Sequence, residues 1–305
     1  MNTEYQLPFN ALFPARIAED AVRRRAQGCP VRAQRERGGF TLVELVVVVA
    51  VIGLLAMVLV PGLARTGPNV RAVQCVSNLT QMQAGANMYS AEFNDGMLGN
   101  APLGTPPLIT NSWVMSTDGM NWTMSNENTN LAKCLAGSLA PFVQYQIRLY
   151  KCPGDIIPSD NGPRLRSYSM NGMMGSYRLA GVNRDNYNPG WKSYTKVTDL
   201  GGNLPPAKAF IFCEENMLNL NDGYLQLNLS TPGAFPDVPG SYHNGALGIS
   251  FADGHVELHQ WTATGLLIPV RHGVRYGTYG FSNPVMIGAP YTDWLWLRDH
   301  ASVPQ

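Results

Sequence analysis

From Leu45 to Val60 the chain carries no polar side chain; the run reads LVVVVAVIGLLAMVLV. Extended to Phe40–Ala64 it is 25 residues long, with Thr41 and Glu44 as its polar side chains. A helix rises 1.5 Å per residue, so about 20 apolar residues cross a hydrocarbon core. No other stretch is comparable, and a single membrane helix is predicted over 40–64. Ahead of it lie Arg16, Arg23, Arg24, Arg25, Arg32, Arg35 and Arg37, against four acids in residues 1–39. The positive-inside rule then puts the N-terminus in the cytoplasm and the chain from Arg65 onward across the membrane. Over all 305 residues Lys plus Arg is 22 and Asp plus Glu is 21. That balance gives no phosphate-neutralising surface, so a nucleic-acid partner is not expected. Apolar residues at 45% exclude both a polytopic membrane protein and disorder by composition.

Glu44 is out of place in such a helix, because an acid costs about 2.5–3.5 kcal/mol at the bilayer centre and less near a helix end. It can snorkel to the headgroups, or it can meet a positive charge supplied by another molecule. Its surroundings, Arg37-Gly38-Gly39-Phe40-Thr41-Leu42-Val43-Glu44, resemble the processing site of type IV pilins and type II secretion pseudopilins. The resemblance implies cleavage by prepilin peptidase between Gly39 and Phe40 and N-methylation of Phe40. It also implies an assembly role for Glu44, whose carboxylate would meet the Phe40 amine of a neighbouring subunit. A secretory signal peptide fits less well. Its apolar region runs about 7–15 residues, and Leu63-Ala64-Arg65-Thr66 is a poor cut site. An uncleaved signal anchor is the stronger rival.

Past Pro61-Gly62 and Thr66-Gly67-Pro68, which should interrupt the helix, Val73, Val76, Leu79, Met82, Ala86, Tyr89 and Phe93 fall on one helical face. Asn94-Asp95-Gly96 is a stop signal. Residues 96–130 read as a long surface loop, and 131–145 as a short helix ending near Pro141. Strand-like runs follow at 165–170, 207–213, 224–229, 246–252 and 255–261. The last two flank Asp253-Gly254, a type I′ hairpin signal. No helices alternate with these strands, so an antiparallel sheet is expected. The predicted class is α+β and pilin-like: a long N-terminal helix, membrane-spanning in its first half, packed on an antiparallel sheet domain with long loops. The predicted segments are a cleaved leader 1–39, a transmembrane helix 40–64, an amphipathic continuation 65–95 and a β-rich periplasmic or extracellular domain 96–305.

Lys151-Cys152-Pro153-Gly154-Asp155, Ser167-Tyr168-Ser169-Met170-Asn171-Gly172, and His243 ten residues before Asp253-Gly254 resemble a pseudopilin-like family of planctomycetes and verrucomicrobia. Gly154-Asp155 stands where Ser-Asp is commoner in that family. His243, Asp253 and Gly254 match its C-terminal signature.

Cys152, His243 and Asp253 can be drawn as nucleophile, base and orienter. A disulfide, a turn and a hairpin account for them more simply, and no enzyme is expected. His255, Glu257 and His259 share one face of a strand, yet no metal site is assigned. Asn219, Asn221 and Asp222-Gly223 offer too few ligands for an EF-hand, so calcium is the one cofactor weighed and none is assigned. Cys29 would leave with the leader. Of the three pairings open to Cys75, Cys134, Cys152 and Cys213, Cys134–Cys152 closes a short loop and is the first disulfide candidate. Aromatic residues crowd the tail: Tyr276, Tyr279, Phe281, Tyr291, Trp294 and Trp296.

The resemblances imply a structural pilin or pseudopilin subunit of a type II secretion or type IV filament. It would sit in the inner membrane, and its partners would be prepilin peptidase, other subunits and the assembly platform. The alternative is a membrane-anchored surface or periplasmic binding module, for polysaccharide among other ligands, that uses the same processing signal.

Overall fold

The computed structural model describes residues 40–102, 112–175, 178–179, 182–183, 187–274 and 283–305; for 56, 58–69, 178–179 and 182–183 it describes the backbone alone. The leader 1–39, with Gly39 and Cys29, and the tail aromatics Tyr276, Tyr279 and Phe281 lie outside these residues. The chain divides into two compact units, Met1–Leu55 and Ala56–Gln305.

Helix α1 (Leu42–Glu92) is assigned without a break through Pro61 and Pro68, where the sequence predicted interruption. A proline removes one N–H and bends a helix, but the turns on either side can keep their remaining bonds. In the first unit every residue from Phe40 to Leu55 is exposed, among them Leu42, Val46, Ile52 and Leu54. Among the described residues no helix is long and apolar enough to cross a membrane. The side chains of 56 and 58–69 are outside that description, so the expected span at 40–64 is covered only in part.

In the second unit Cys75, Leu79, Met82, Ala86 and Tyr89 are buried on one face of α1. The predicted stripe holds in its middle and fails at its ends, since Val73 and Phe93 are exposed. The helix ends where expected. Asn94 and Asp95 take positive φ, and the Asp95 N–H reaches back to the Ser90 carbonyl at 2.8 Å, closing the last turn.

Among the described residues nine strands follow: β1 (Tyr168–Asn171), β2 (Arg178–Leu179), β3 (Val182–Asn183), β4 (Phe210–Glu214), β5 (Tyr224–Leu225), β6 (Ala234–Phe235), β7 (Ala246–Phe251), β8 (Val256–Gln260) and β9 (Val285–Met286). The main sheet has the order β5-β1-β4-β7-β8. It is mixed, not antiparallel as expected, because β5 pairs parallel with β1 through Met170↔Tyr224 and Asn171↔Leu225. The β7–β8 hairpin is present, but its turn is not type I′. Gly254 alone takes positive φ there, and its N–H donates to the Phe251 carbonyl at 2.9 Å. This is the longer hairpin loop with a glycine bulge.

Strand β7 (ALGISF) is buried along its whole length because both sheet faces are covered. Leu247, Ile249 and Phe251 pack with Leu227, Phe235, Trp261, Trp294 and Leu297. On the opposite face Gly248 and Ser250 meet α1, where the Ser250 hydroxyl donates to Gln83 Oε1 at 2.9 Å. Edge strand β8 carries Glu257 outward, which protects an open edge from pairing. Helix α2 (Leu131–Cys134) is shorter than the predicted 131–145 helix, and a separate 3₁₀ turn holds Pro141. Helix α3 (Thr292–Ala301) was not foreseen, although Trp294, Leu297 and Ala301 lie at helical spacing and are buried.

Residues 112–130 are irregular, as the sequence suggested, but do not lie wholly on the surface. Trp113, Val114, Met120 and Trp122 are buried, and the segment winds around the carboxylate of Glu127. That carboxylate accepts from the Ser116 hydroxyl, from the N–H groups of Thr117 (2.5 Å), Asp118 (2.8 Å) and Gly119 (3.1 Å), and from Lys133 Nζ (3.3 Å). Burial alone would push this carboxyl up; the bonds from Ser116, Asp118, Thr117 and Lys133 outweigh it and hold it at about 2, below the usual 4.5.

Truncating Leu79, which is fully buried, should cost about 2–5 kcal/mol in Leu79→Ala, whereas Val73→Ala should stay within about 0.5 kcal/mol. Denaturant unfolding of the purified chain checks both. The depressed Glu127 carboxyl stabilises the fold above pH 4.5, and that contribution fades as pH falls through 2. Glu127→Gln should therefore be less stable at neutral pH by about 1–3 kcal/mol, with the difference from wild type closing toward pH 2 in the same measurement.

Candidate functional site

Two constellations stand out, one in each unit. The first is the start of α1. Thr41 is the N-cap and Glu44 the third helical residue. The Glu44 N–H donates to Thr41 Oγ1 at 3.3 Å, and the Thr41 N–H donates back to Glu44 Oε2 at 2.8 Å. The Thr41 hydroxyl also donates to Oε2 at 2.8 Å. Thr41-Leu42-Val43-Glu44 is thus a capping box, a local role for Glu44 that reading the sequence for charge alone missed. Among the described residues, its carboxylate bonds use Oε2. Phe40, beside the predicted cut, is 76% exposed.

The second constellation is buried between α1 and the sheet. Cys75 comes from α1, Cys152 from the turn after Tyr150, Glu214 from the end of β4 and His243 from the segment before β7. Their ligating atoms all lie within 4.8 Å of one another, and all four residues are buried. The Cys75 thiol donates to Glu214 Oε1 at 3.0 Å and lies 3.2 Å from the Tyr168 hydroxyl. His243 Nε2 is 2.8 Å from Glu214 Oε1 and 3.3 Å from Cys152 Sγ. Around this centre the Gly248 N–H donates to Glu214 Oε2 at 2.8 Å, and the Gly154 N–H to Cys152 Sγ at 3.1 Å. A β-carbon on Gly248 would sit 2.8 Å from Cys75 Sγ, and one on Gly154 would sit 3.2 Å from Cys152 Sγ. Both positions need the absence of a side chain for the backbone to come this close.

Burial pushes the Cys75 thiol up to about 11 and raises Cys152 well above the ordinary thiol value. Burial pulls His243 down, but its bonds to Cys152 and Glu214 and the Glu214 charge outweigh this and lift it to about 10. The Cys152 turn is anchored by a buried ion pair, Asp155 Oδ1 to Arg164 Nη2 at 2.5 Å.

The structure therefore joins Cys152 and His243, as the sequence allowed, but with Glu214 in the place considered for Asp253. Asp253 is exposed and accepts from its near neighbour His255 at 2.6 Å. Gly254 forms the hairpin turn. Glu214 lacked any sequence signal, because it ends an apolar strand, Phe-Ile-Phe-Cys-Glu, that reads only as core. The disulfide expectation is corrected: Cys134 and Cys152 are free and buried, as are Cys75 and Cys213. Cys134 lies beside Glu127, Lys133 and Arg166, whereas Cys152 belongs to the cluster just described.

His255, Glu257 and His259 do not converge. His255 stacks on Phe251, and His259 stacks on Trp296 with ring centroids 3.5 Å apart. At the weighed calcium loop Asn219 Oδ1 accepts from the Val238 N–H, and Asp222 Oδ1 accepts from the Tyr224 N–H. These side chains serve the turn. Nearby, a cleft of about 580 Å³ is lined by Trp122, Asn121, Asp160, Asn219 and His272.

Residues 34–60 match the family described as the prokaryotic N-terminal methylation motif. This motif is found in type IV pilins and pseudopilins, and it marks the chain as prepilin-like at its N-terminus. No curated protein and no solved structure matches the chain.

Glu214→Ala should strip partners from the buried Gly248 N–H and from His243, at about 1–3 kcal/mol for each group left unsatisfied. Asp253→Ala, at an exposed turn, should cost no more than about 0.5–1 kcal/mol. Parallel thermal and denaturant unfolding distinguishes the buried carboxylate from the surface one.

Proposed function

We propose that this protein is a pilin-like structural subunit of a cell-envelope filament, of the type II secretion or type IV class. In this reading prepilin peptidase cuts after Gly39 and methylates Phe40, the segment 40–64 lies in the inner membrane, and 65–305 lies beyond it. The observation that carries the reading is the methylation motif at 34–60, joined to a helix start whose apolar residues are exposed on every side from Phe40 to Leu55. A helix apolar all round is stable only when lipid or other protein covers it.

The capping box adds a physical detail. Glu44 Oε2 closes the helix start of its own chain, and Oε1 takes no part in that cap. The same carboxylate is then available to the cationic Phe40 amine of an adjacent subunit. Pairing two charges in a low-dielectric surrounding removes a penalty of several kcal/mol for each. Assembly would proceed by lateral stacking of these helices, delivered by the inner-membrane platform, with the folded unit carried outward.

The cleft beside Trp122 favours a second reading, a surface binding module carried on the same anchor. The amide and carboxylate groups of Asn121, Asn219 and Asp160 that line it suit the hydroxyls of a sugar.

N-terminal sequencing of the mature protein tests the proposal. The expected first residue is methylated Phe40, lost in a strain without prepilin peptidase; a chain still beginning at Met1 overturns it. In the same cells Glu44→Gln, which retains the capping geometry, should be cleaved normally and be missing from sheared filaments, with Glu44→Val behaving alike. If both variants enter filaments normally, the pairing is wrong. Recovery of the wild-type chain on immobilised glycans and never in filaments would favour the binding module.

A further inference from the structure

The cluster at Cys75, Cys152, Glu214 and His243 is independent of how the N-terminus is processed. Two thiols, an imidazole and a carboxylate, from four segments remote in sequence, converge at one buried point. We propose that this point is a structural zinc site, held by two cysteines, one histidine and one glutamate, which clamps α1 to the sheet.

Three observations support it. The first is geometry. Tetrahedral zinc takes Cys sulfur at about 2.3 Å and imidazole nitrogen or carboxylate oxygen at about 2.0–2.2 Å, which sets ligand–ligand edges of about 3.3–3.8 Å. The pairs Cys75–Glu214, Glu214–His243 and Cys152–His243 lie at 3.0, 2.8 and 3.3 Å, and all six pairs lie within 4.8 Å. An ion placed among these atoms needs only small outward shifts of side chains. The second is the donor set: borderline-soft Zn²⁺ suits thiolate with imidazole, whereas Ca²⁺ and Mg²⁺ require oxygen. The third is the surrounding shell. Gly248 N–H holds the second Glu214 oxygen, Gly154 N–H points at Cys152 Sγ, and the Tyr168 hydroxyl lies against Cys75 Sγ. Backbone and hydroxyl donors of this kind orient ligands and share the charge of a metal–thiolate centre.

Four protein ligands, all buried, leave no open position for substrate, so the site is structural and not catalytic. On binding, both thiols and the imidazolium release their protons to solvent, and each sulfur and the ring nitrogen give a lone pair to the ion. The dication offsets two of the three negative charges of the two thiolates and the carboxylate, and the surrounding N–H and hydroxyl donors face the one that is left. In an oxidising compartment it also shields from oxidation a thiol pair that is otherwise close enough to react.

The test uses the full chain, purified in detergent without chelator. Elemental analysis should find about one Zn²⁺ per chain. Stripping under reductant and reloading with Co²⁺ should give a thiolate-to-cobalt charge-transfer band and the intense visible bands of tetrahedral cobalt. Cys152→Ser and His243→Gln should lose both, and Cys134→Ala, whose buried thiol lies outside the cluster, should retain both. Chelation should lower the melting temperature of wild type and leave Cys152→Ser unmoved. Circular dichroism establishes that each variant is folded, and the wild-type cobalt spectrum stands without any variant. The proposal is overturned if reduced, folded wild type takes up no more Zn²⁺ or Co²⁺ than Cys152→Ser. It is equally overturned if freshly isolated chain carries a Cys75–Cys152 disulfide.

Discussion

The contact on which the globular unit depends is the approach of α1 to strand β7 at Gly248. With no side chain there, Cys75 and Leu79 come down onto the strand, and a β-carbon would lie within 3.0 Å of Leu79 Cδ1. Close packing rewards this approach through many small dispersion contacts, and it tolerates little change in volume. The same approach brings the Cys75 thiol to the Glu214 carboxylate at the end of β4. Helix–sheet packing and the polar cluster are therefore one arrangement, and a change in either is felt by the other.

Two buried carboxylates, Glu214 and Glu127, are each satisfied by a network rather than by a single partner. Glu214 joins a thiol, an imidazole and a backbone N–H; Glu127 gathers three backbone N–H groups, two hydroxyls and a lysine. Each carboxylate organises a segment that lacks regular secondary structure, so irregular backbone is held by side-chain acceptors where ladder bonds are missing. The resemblance segments around Cys152, Tyr168 and His243 meet at the first of these networks. Their wide separation in the chain is then a consequence of folding around one centre.

The positions of β1, β4, β7 and β8 were legible as short strand-like runs separated by Gly, Pro, Asn and Asp, with β4 and β7 the mostly apolar ones. The parallel pairing of β5 was not, since a two-residue strand has no period to read and its partner is chosen by the path of the preceding loop. The helix face was legible at Leu79, Met82 and Ala86 and misread at Val73 and Phe93, because periodicity does not say where the covering sheet ends. Cys152 and His243 were noticed, with Asp253 weighed beside them and set aside in favour of a hairpin; Glu214, their partner in the fold, was not noticed. Proximity in sequence to a histidine signature is no measure of distance in space, and Glu214 arrives from a strand that pairs with β7 only in the fold.

The order of the amino acids was enough to reveal the N-terminal methylation motif: the apolar run, the basic stretch before it, the Gly39-Phe40 junction and Glu44 are contiguous, and a local pattern can be read without a fold. The capping box belongs to the same class, being written in four successive residues. It took the folded chain to establish that four free cysteines form no Cys134–Cys152 bond, and that two of them share a buried centre with Glu214 and His243. Those relations depend on which segments the sheet order and the helix contact bring within a few ångströms of each other, and neither composition nor periodicity encodes that.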